Sequence, residues 1–405
     1  MVRGLQLLIL IGFMISFGRG SSSQAQSNPA QSLAEMNSAF ALDLYGHLKS
    51  TPGNIFFSPY SISTCLAMTY AGARGATEQQ MAQALHFSTN QSQLHSAFAG
   101  LQRNLGRLEN QKGIELNVAN ALWAQSGHPF LPDFLNVAKG EYQAAVNQAD
   151  FKTAAAEVTQ EVNRWVAQKT KEKIRNIVPP GSLDAMTRLV LANAIYFKGI
   201  WAKTYDKAQT SPQPFHLTAA TQVNSPLMHH VDEVKYFENE QFQAVELPYR
   251  SNQLSMIVLL PRQVEGIGSL ENQLTPEVLS SAVQQMKRRK VEIYLPRFKL
   301  ESSFELNQPL SQMGMQDAFG AKADFSGMDG TKRLYISMVL HKAWGEVNEE
   351  GTEAAAATVV GVRSMAVVQP SPQPVFRADH PFIFIIRENA SGSILFLGRL
   401  TDPTK

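Results

Sequence analysis

Cysteine is nearly absent. Cys65 is the single one in 405 residues, which excludes any disulfide within the chain and leaves stability to core packing. Charge is sparse as well: charged residues make up 17% of the chain and the net charge is +2, so nothing marks a nucleic-acid ligand. Gly-x-Ser-x-Gly does not occur, no glycine-rich phosphate loop is present, and Cys65 lies in an apolar stretch without a neighbouring histidine. The constellations of a nucleophilic or phosphate-handling enzyme are therefore missing, and the chain reads as no enzyme. His229-His230 with Asp232 comes nearest to a metal set, yet no further ligand recurs at helical or turn spacing, so neither metal nor cofactor is expected. Beyond the first residues no apolar run approaches the ~20 residues that span a bilayer, so no membrane partner is expected either.

What is present is a large apolar fraction, 44%, enough for a substantial core. At the amino terminus Arg3 precedes the apolar run from Leu5 to Phe17, and Ser23-Gln24-Ala25 supplies the small residues a signal peptidase needs. The expectation is an export signal over residues 1–25, a mature domain over 26–405, and a secreted, extracellular protein, or a periplasmic one in a bacterium.

Ser58 can cap a helix that has Pro59 at its first position and is apolar nearly all round, hence buried. Thr77 and Gln80 have the spacing of a capping box for the next helix, and Leu94 to Leu108 has amphipathic spacing. Its Arg103 and Arg107 are too sparse a cluster to bind heparin. Strands are expected at Val118 to Ala124, Leu189 to Phe197, Ser255 to Leu260, Glu292 to Lys299 and Leu340 to Val347, with helices at Ala155 to Ile174 and Leu274 to Lys287. Strands and helices without regular alternation argue for an α+β fold.

The most informative stretch runs from Asn348 to Val368. At period two its even positions Thr352, Ala354, Ala356, Thr358, Val360, Val362 and Ser364 are uncharged, while Glu353 and Arg363 carry the charges. Four consecutive alanines also favour helix, so periodicity leaves strand and helix level. Gly351 supplies a hinge, and Gln369-Pro-Ser-Pro-Gln-Pro374 cannot donate a regular ladder.

Glu349-Glu350-Gly351-Thr352-Glu353-Ala354-Ala355-Ala356-Ala357-Thr358, with Ala378 to Arg387 and Ser391 to Arg399, resembles the reactive-centre-loop hinge and carboxy-terminal strands of the serpins, nearest to inhibitory ovalbumin-like members. The resemblance implies the serpin fold: a large mixed central sheet with further sheets, about eight to nine helices and an exposed reactive-centre loop, here residues 348–375. It implies a sheet-opening cluster at Ser58, Asn193 and His341, and an entry point for the loop at Trp201 and Arg297, with Arg297 paired to Glu349. Counting from Gly351 as inhibitory relatives do sets the reactive bond at Met365-Ala366, which suits elastase-, chymotrypsin- or subtilisin-like proteases. The distance from Met365 to Pro381 is longer here than in those relatives, which leaves Arg363 and Val367 as alternative scissile residues. The implied function is suicide-substrate inhibition of a serine protease through a covalent 1:1 acyl-enzyme complex. A non-inhibitory carrier or chaperone of the same family, or an inhibitor of cysteine proteases, is the alternative. The uncharged even positions favour inhibition, because the loop can then enter a sheet. Loop insertion is a form of strand addition established for the family and not for this chain. It also implies a monomer liable to polymerise when one molecule's loop enters another's sheet.

Overall fold

The structure is a computed structural model that describes residues 29–109, 113–352 and 373–405. The first half runs through α1 (Pro29–Leu48), β1 (Ile55–Phe57), α2 (Pro59–Tyr70), α3 (Gly75–Ala84), α4 (Gln91–Glu109), β2 (Ile114–Gln125), α5 (Pro132–Gly140), β3 (Ala145–Ala149), α6 (Phe151–Lys169) and β4 (Leu189–Ile200). There follow β5 (Ser211–His216), β6 (Gln222–Glu238), β7 (Phe242–Pro248), β8 (Leu254–Pro261), α7 (Ile267–Gln273), α8 (Pro276–Gln285), β9 (Lys287–Pro296) and β10 (Phe298–Glu305). The chain closes with α9 (Asn307–Gln312), α10 (Ser326–Asp329), β11 (Ile336–Asn348), β12 (Gly351–Thr352), β13 (Val375–Arg377), β14 (Phe382–Glu388) and β15 (Ile394–Leu400).

Two sheets carry the molecule. One has nine strands, in the order β1-β15-β14-β8-β7-β6-β9-β13 with β5 added to β6. The other has six, in the order β10-β11-β12-β4-β2-β3. Along β4 the odd residues Leu191, Ile195 and Phe197 enter the main core, while Val190, Ala192, Ala194 and Tyr196 enter a second cluster with Val158, Val162 and Val166 of α6. Burial on both faces explains why this strand is apolar without alternation. Helix α2 is buried along its whole length and packs against β2, β4 and β15. The α+β architecture and the strands expected at β2, β4, β8, β11, β14 and β15 are present.

Ten α-helices stand among the described residues, three of them short, in keeping with the about eight to nine expected. Helices α7, α9 and α10 have at most seven residues, too few to leave a stripe at helical period. Several local expectations are corrected. Thr77 and Gln80 make no capping box. Arg74 is the cap residue of α3, and the two side chains instead accept from the backbone of Asp324 and Asp317, at 2.9 Å and 2.8 Å. Helix α6 ends at Lys169, with a left-handed Lys171 and Glu172 breaking the run expected to reach Ile174. The helix expected over Leu274 to Lys287 is α8 alone, capped by Thr275 with Pro276 at its first position. The strand expected over Glu292 to Lys299 is split at Arg297 between β9 and β10.

Candidate functional site

The end of β11 is where the chain doubles back. Asn348 accepts the amide of Glu350 on its side chain at 3.1 Å, a local turn, and β12 then runs antiparallel to β11 with Val347 opposite Thr352 and Asn348 opposite Gly351. The same two residues pair antiparallel with β4, Gly351 with Ile200 and Thr352 with Gly199. Below them β11 and β4 are direct parallel neighbours from Ile336 to Trp344, so no strand separates the two there. Gly351 and Thr352 are thus seated between two strands that pair directly with each other lower down.

Close approach requires glycine at this seat. A Cβ on Gly351 would stand 2.0 Å from the Gly199 carbonyl oxygen, and its φ of 148° is one that side-chain-bearing residues avoid. The turn is tied on its open side as well. Trp201 donates its indole N–H to the Asn348 carbonyl at 3.0 Å and its amide to Glu350 at 2.9 Å, while the Tyr205 amide reaches the Glu349 carbonyl at 2.7 Å. Both hinge carboxylates find cations: Arg297 Nε lies 3.5 Å from Glu349 Oε2, and Lys207 Nζ lies 2.8 Å from Glu350 Oε1. The hydrogen bond to Glu350 and its negative charge hold Lys207 above the usual lysine range. Glu349 is buried and Arg297 half-exposed, so the pair expected from the sequence exists but is not a surface pair. Thr352, 2% exposed, shares a 2.9 Å hydrogen bond with the hydroxyl of Tyr249, which stacks on Trp201 at 4.7 Å.

Further down the sheet, His341 of β11 lies opposite Asn193 of β4. The Ser58 amide donates to His341 Nε2 at 3.0 Å, and an amide can only donate, so the imidazole proton sits on Nδ1 and is given to Asn193 Oδ1. Burial pushes the His341 pKa down to about 3, so the ring is neutral. Asn193 in turn donates to Asn120 Oδ1 on β2 and to the Ser61 carbonyl at 3.0 Å on α2. Ser58, Asn193 and His341 are therefore brought together, with one difference from expectation: Ser58 contributes its amide. Its hydroxyl caps α2 through Ser61 and donates to the Leu395 carbonyl at 2.6 Å.

Sequence reasoning missed Asn120, Ser61, Lys207, Tyr205 and Tyr249. A signal for Asn120 existed, because Ala119-Asn120-Ala121 and Ala192-Asn193-Ala194 repeat one tripeptide inside apolar strands and pair in register. Arg103 and Arg107 are exposed on α4. His229 and His230 are successive residues of β6, stacked on Tyr294 and on Tyr205 respectively. Cys65 is buried, which pushes its thiol up to about 12. No helix among the described residues is long and apolar enough to cross a membrane. The loop residues Glu353, Ala354, Ala355, Ala356, Ala357, Thr358, Arg363, Met365, Ala366 and Val367 lie outside the described residues, as does the expected export signal.

A family model described as serpin (serine protease inhibitor) matches residues 35–403. The chain belongs to the serpin family. Leukocyte elastase inhibitors of Sus scrofa and Homo sapiens are 42% and 40% identical to this serpin, each matched in full over 92% of the chain. Serpin B3 of Homo sapiens is 39% identical over the same shares. Among solved structures, uncleaved ovalbumin is similar with a TM-score of 0.83 at 31% identity, covering 92% of this chain and 100% of its own. Human thyroxine-binding globulin is similar with a TM-score of 0.84 at 29% identity, covering 93% and 100%. The relatives correct one expectation from the sequence: the leukocyte elastase inhibitors are intracellular proteins, which overturns the secreted, extracellular or periplasmic assignment, and the export signal finds no support.

Proposed function

We propose that this serpin is a suicide-substrate inhibitor of serine proteases that traps its target by drawing the cleaved reactive-centre loop into the six-stranded sheet. The observation that carries the reading is the seat of Gly351-Thr352, antiparallel to both β11 and β4 while these two pair in parallel below it. A third strand continuing downward would exchange one parallel ladder for two antiparallel ones, which are the stabler kind. About twenty ladder bonds would form against the eight residue pairs of β4 and β11 that separate, a net gain on the order of 10 kcal/mol at ~1 kcal/mol per bond. Such a gain suffices to displace an acyl-enzyme whose catalytic groups need sub-ångström placement.

The register fixes where each loop residue would arrive. If the loop continued in that register, each step down it would meet one step back along β11 and β4, and Thr358 would come opposite both His341 and Asn193. There it would share the core face with Thr352, so its hydroxyl would enter between the two side chains that now bond each other. With neighbouring strands ~4.8 Å apart, the interposed strand doubles their separation and the direct bond must break there. Ser58, Asn193 and His341, aided by Asn120 and Ser61, would thus be the lock the loop opens, and Trp201, Arg297, Glu349 and Glu350 the entry. The pairing would run to Arg363 opposite Ile336, so cleavage at Met365-Ala366 leaves the protease at the far end of the sheet. Arg363 and Val367 stand as the alternative scissile residues.

Relatives named as elastase inhibitors at 40–42% identity favour this reading over a carrier or chaperone, although the less similar solved neighbours, at 31% and 29% identity, include uncleaved ovalbumin and a thyroxine-binding globulin. Incubation with a panel of elastase-, chymotrypsin-, subtilisin- and trypsin-like proteases and a cysteine protease, read by denaturing electrophoresis and the mass of the released peptide, tests it. The expected result is a 1:1 complex stable to denaturant and a peptide beginning at Ala366. Cleavage of the loop by every protease without a complex would overturn it.

A further inference from the structure

We propose that Tyr249 is a positioning residue that selects a hydroxyl side chain at the loop's entry position and sets how often this serpin traps a protease instead of being consumed by it. The proposal rests on the inhibitor reading above and deepens it.

Tyr249 follows β7 and forms an isolated antiparallel bridge with Trp201. Its ring lies flat on Trp201, with 9° between planes, and meets the edge of Phe197 at 5.2 Å. The residue is 0% exposed. Gly199 leaves the space this ring needs, since a Cβ there would stand 2.7 Å from both Tyr249 and Phe197. The described neighbours of the Tyr249 ring and of Thr352 are apolar: Trp201 and Phe197 against the ring, and Val347 opposite Thr352. Within this socket the Tyr249 hydroxyl has one partner among the described residues, Oγ1 of Thr352. Burial holds that phenol protonated, so it remains a hydrogen-bonding group and never an anion.

Two hydroxyls in an apolar socket satisfy each other, and among the described residues nothing else does. Removing either leaves the other buried without a partner, whereas removing both leaves an apolar contact of nearly the same shape. The bond has a further property. Because insertion extends the register that Thr352 already occupies, the bond would persist from the free protein through insertion, and its loss acts by unseating Thr352: the free loop then leaves the socket and must be ordered there again, one hydroxyl orphaned, before zippering begins. Trapping is a race between zippering and release of the protease, so the hydroxyl pair acts on the outcome of the race without touching the scissile bond.

Tyr249→Phe, Thr352→Val and the double variant, compared with the parent, test this. With a protease that the parent traps, each single variant should slow zippering about tenfold, the rate equivalent of one orphaned buried hydroxyl, and raise the moles of inhibitor consumed per mole of protease several-fold. The bimolecular rate of first attack on the loop should stay within twofold, and the double variant should recover most of the parental stoichiometry. A purely structural role would make the two losses add. Hydrogen exchange of the free protein at the Trp201 and Thr352 amides supplies a readout without any protease: faster in each single variant, slowed again in the double. Parental stoichiometry and exchange in both single variants, or a double variant no better than the worse single one, overturns the proposal. A parent that traps no protease while the exchange pattern holds sinks the inhibitor reading and leaves the socket standing, so the two failures are told apart.

Discussion

His341 of β11 bonds across to Asn193 of β4, the strand from which the proposed mechanism must part it, and its charge state is set by burial. In an unfolded chain the ring titrates near its ordinary value of 6.5, whereas in the folded protein burial pushes it down to about 3. Above pH 6.5 both states are neutral and stability does not depend on this residue. As pH falls from 6.5 towards 3 the unfolded state binds a proton that the folded one refuses, and stability is lost at up to ~1.4 kcal/mol per pH unit. Its bonded partners, Ser58 and Asn193, do not titrate, although carboxylates elsewhere do in the lower half of this window. The expected outcome is that the urea midpoint falls with acidification from pH 6.5, and falls less steeply in His341→Gln; parallel slopes in the two proteins would refute the assignment. The residues of this lock differ in how legible they were. Ser58 could be read as a cap because Pro59 follows it, but which of its atoms serves His341 depends on a strand far away in sequence. Asn120 was visible as a polar residue in an apolar run and gained meaning only through its pairing with Asn193. Tyr249 carried no signal at all, since its role comes from a bridge to Trp201.

At the scale of elements, the sheet register turns a pattern into a constraint. Thr352 faces the main core, and Ala354, two residues on, would face it as well, opposite Gly345 and Phe197. Ala354→Arg would bring a guanidinium into that face at the second step of zippering, where an unpaired charge costs several kcal/mol. The inserted strand would stall after its first two residues, and the protease would be released. The expected result is a protein cleaved at the parental rate with almost no complex on a denaturing gel. Complex at the parental yield would refute insertion along this register. The period-two pattern of the loop anticipated the face but could not choose strand over helix, because alanine suits both and the choice lies with β4 and β11. The same limit explains the capping box that did not form: Thr77 and Gln80 have the right spacing, yet distant backbone at Asp324 and Asp317 claims their side chains. Where punctuation was local, it was legible, as with Pro59; where it was read through, as at Pro276 and Pro296, the expected elements came out too long.

For the whole molecule the question is where the folded state lies relative to its nicked form. Eight residue pairs of β4 and β11 hold the sheet closed in parallel, and the seat at Gly351-Thr352 shows the antiparallel alternative already begun. In the proposed mechanism the continuity of the loop, joined at its far end to β13, is what keeps the remaining strand from exchanging that closed ladder and the His341–Asn193 bond for its own pairing. Cutting the loop removes that tether. If the gain is on the order of 10 kcal/mol, cleavage within the loop by a protease that is not trapped should raise the melting temperature by roughly 20 °C, taking about 2 °C per kcal/mol for a chain of this size. Calorimetry of intact and nicked protein checks it. Sequence alone supplied the family and the hinge, but the direction of this energy difference rests on β4 and β11 being neighbours, a fact of pairing across more than a hundred residues. A nicked protein that melts with the intact one would mean that the closed sheet is the stable arrangement, and the trap would have no force to spring it.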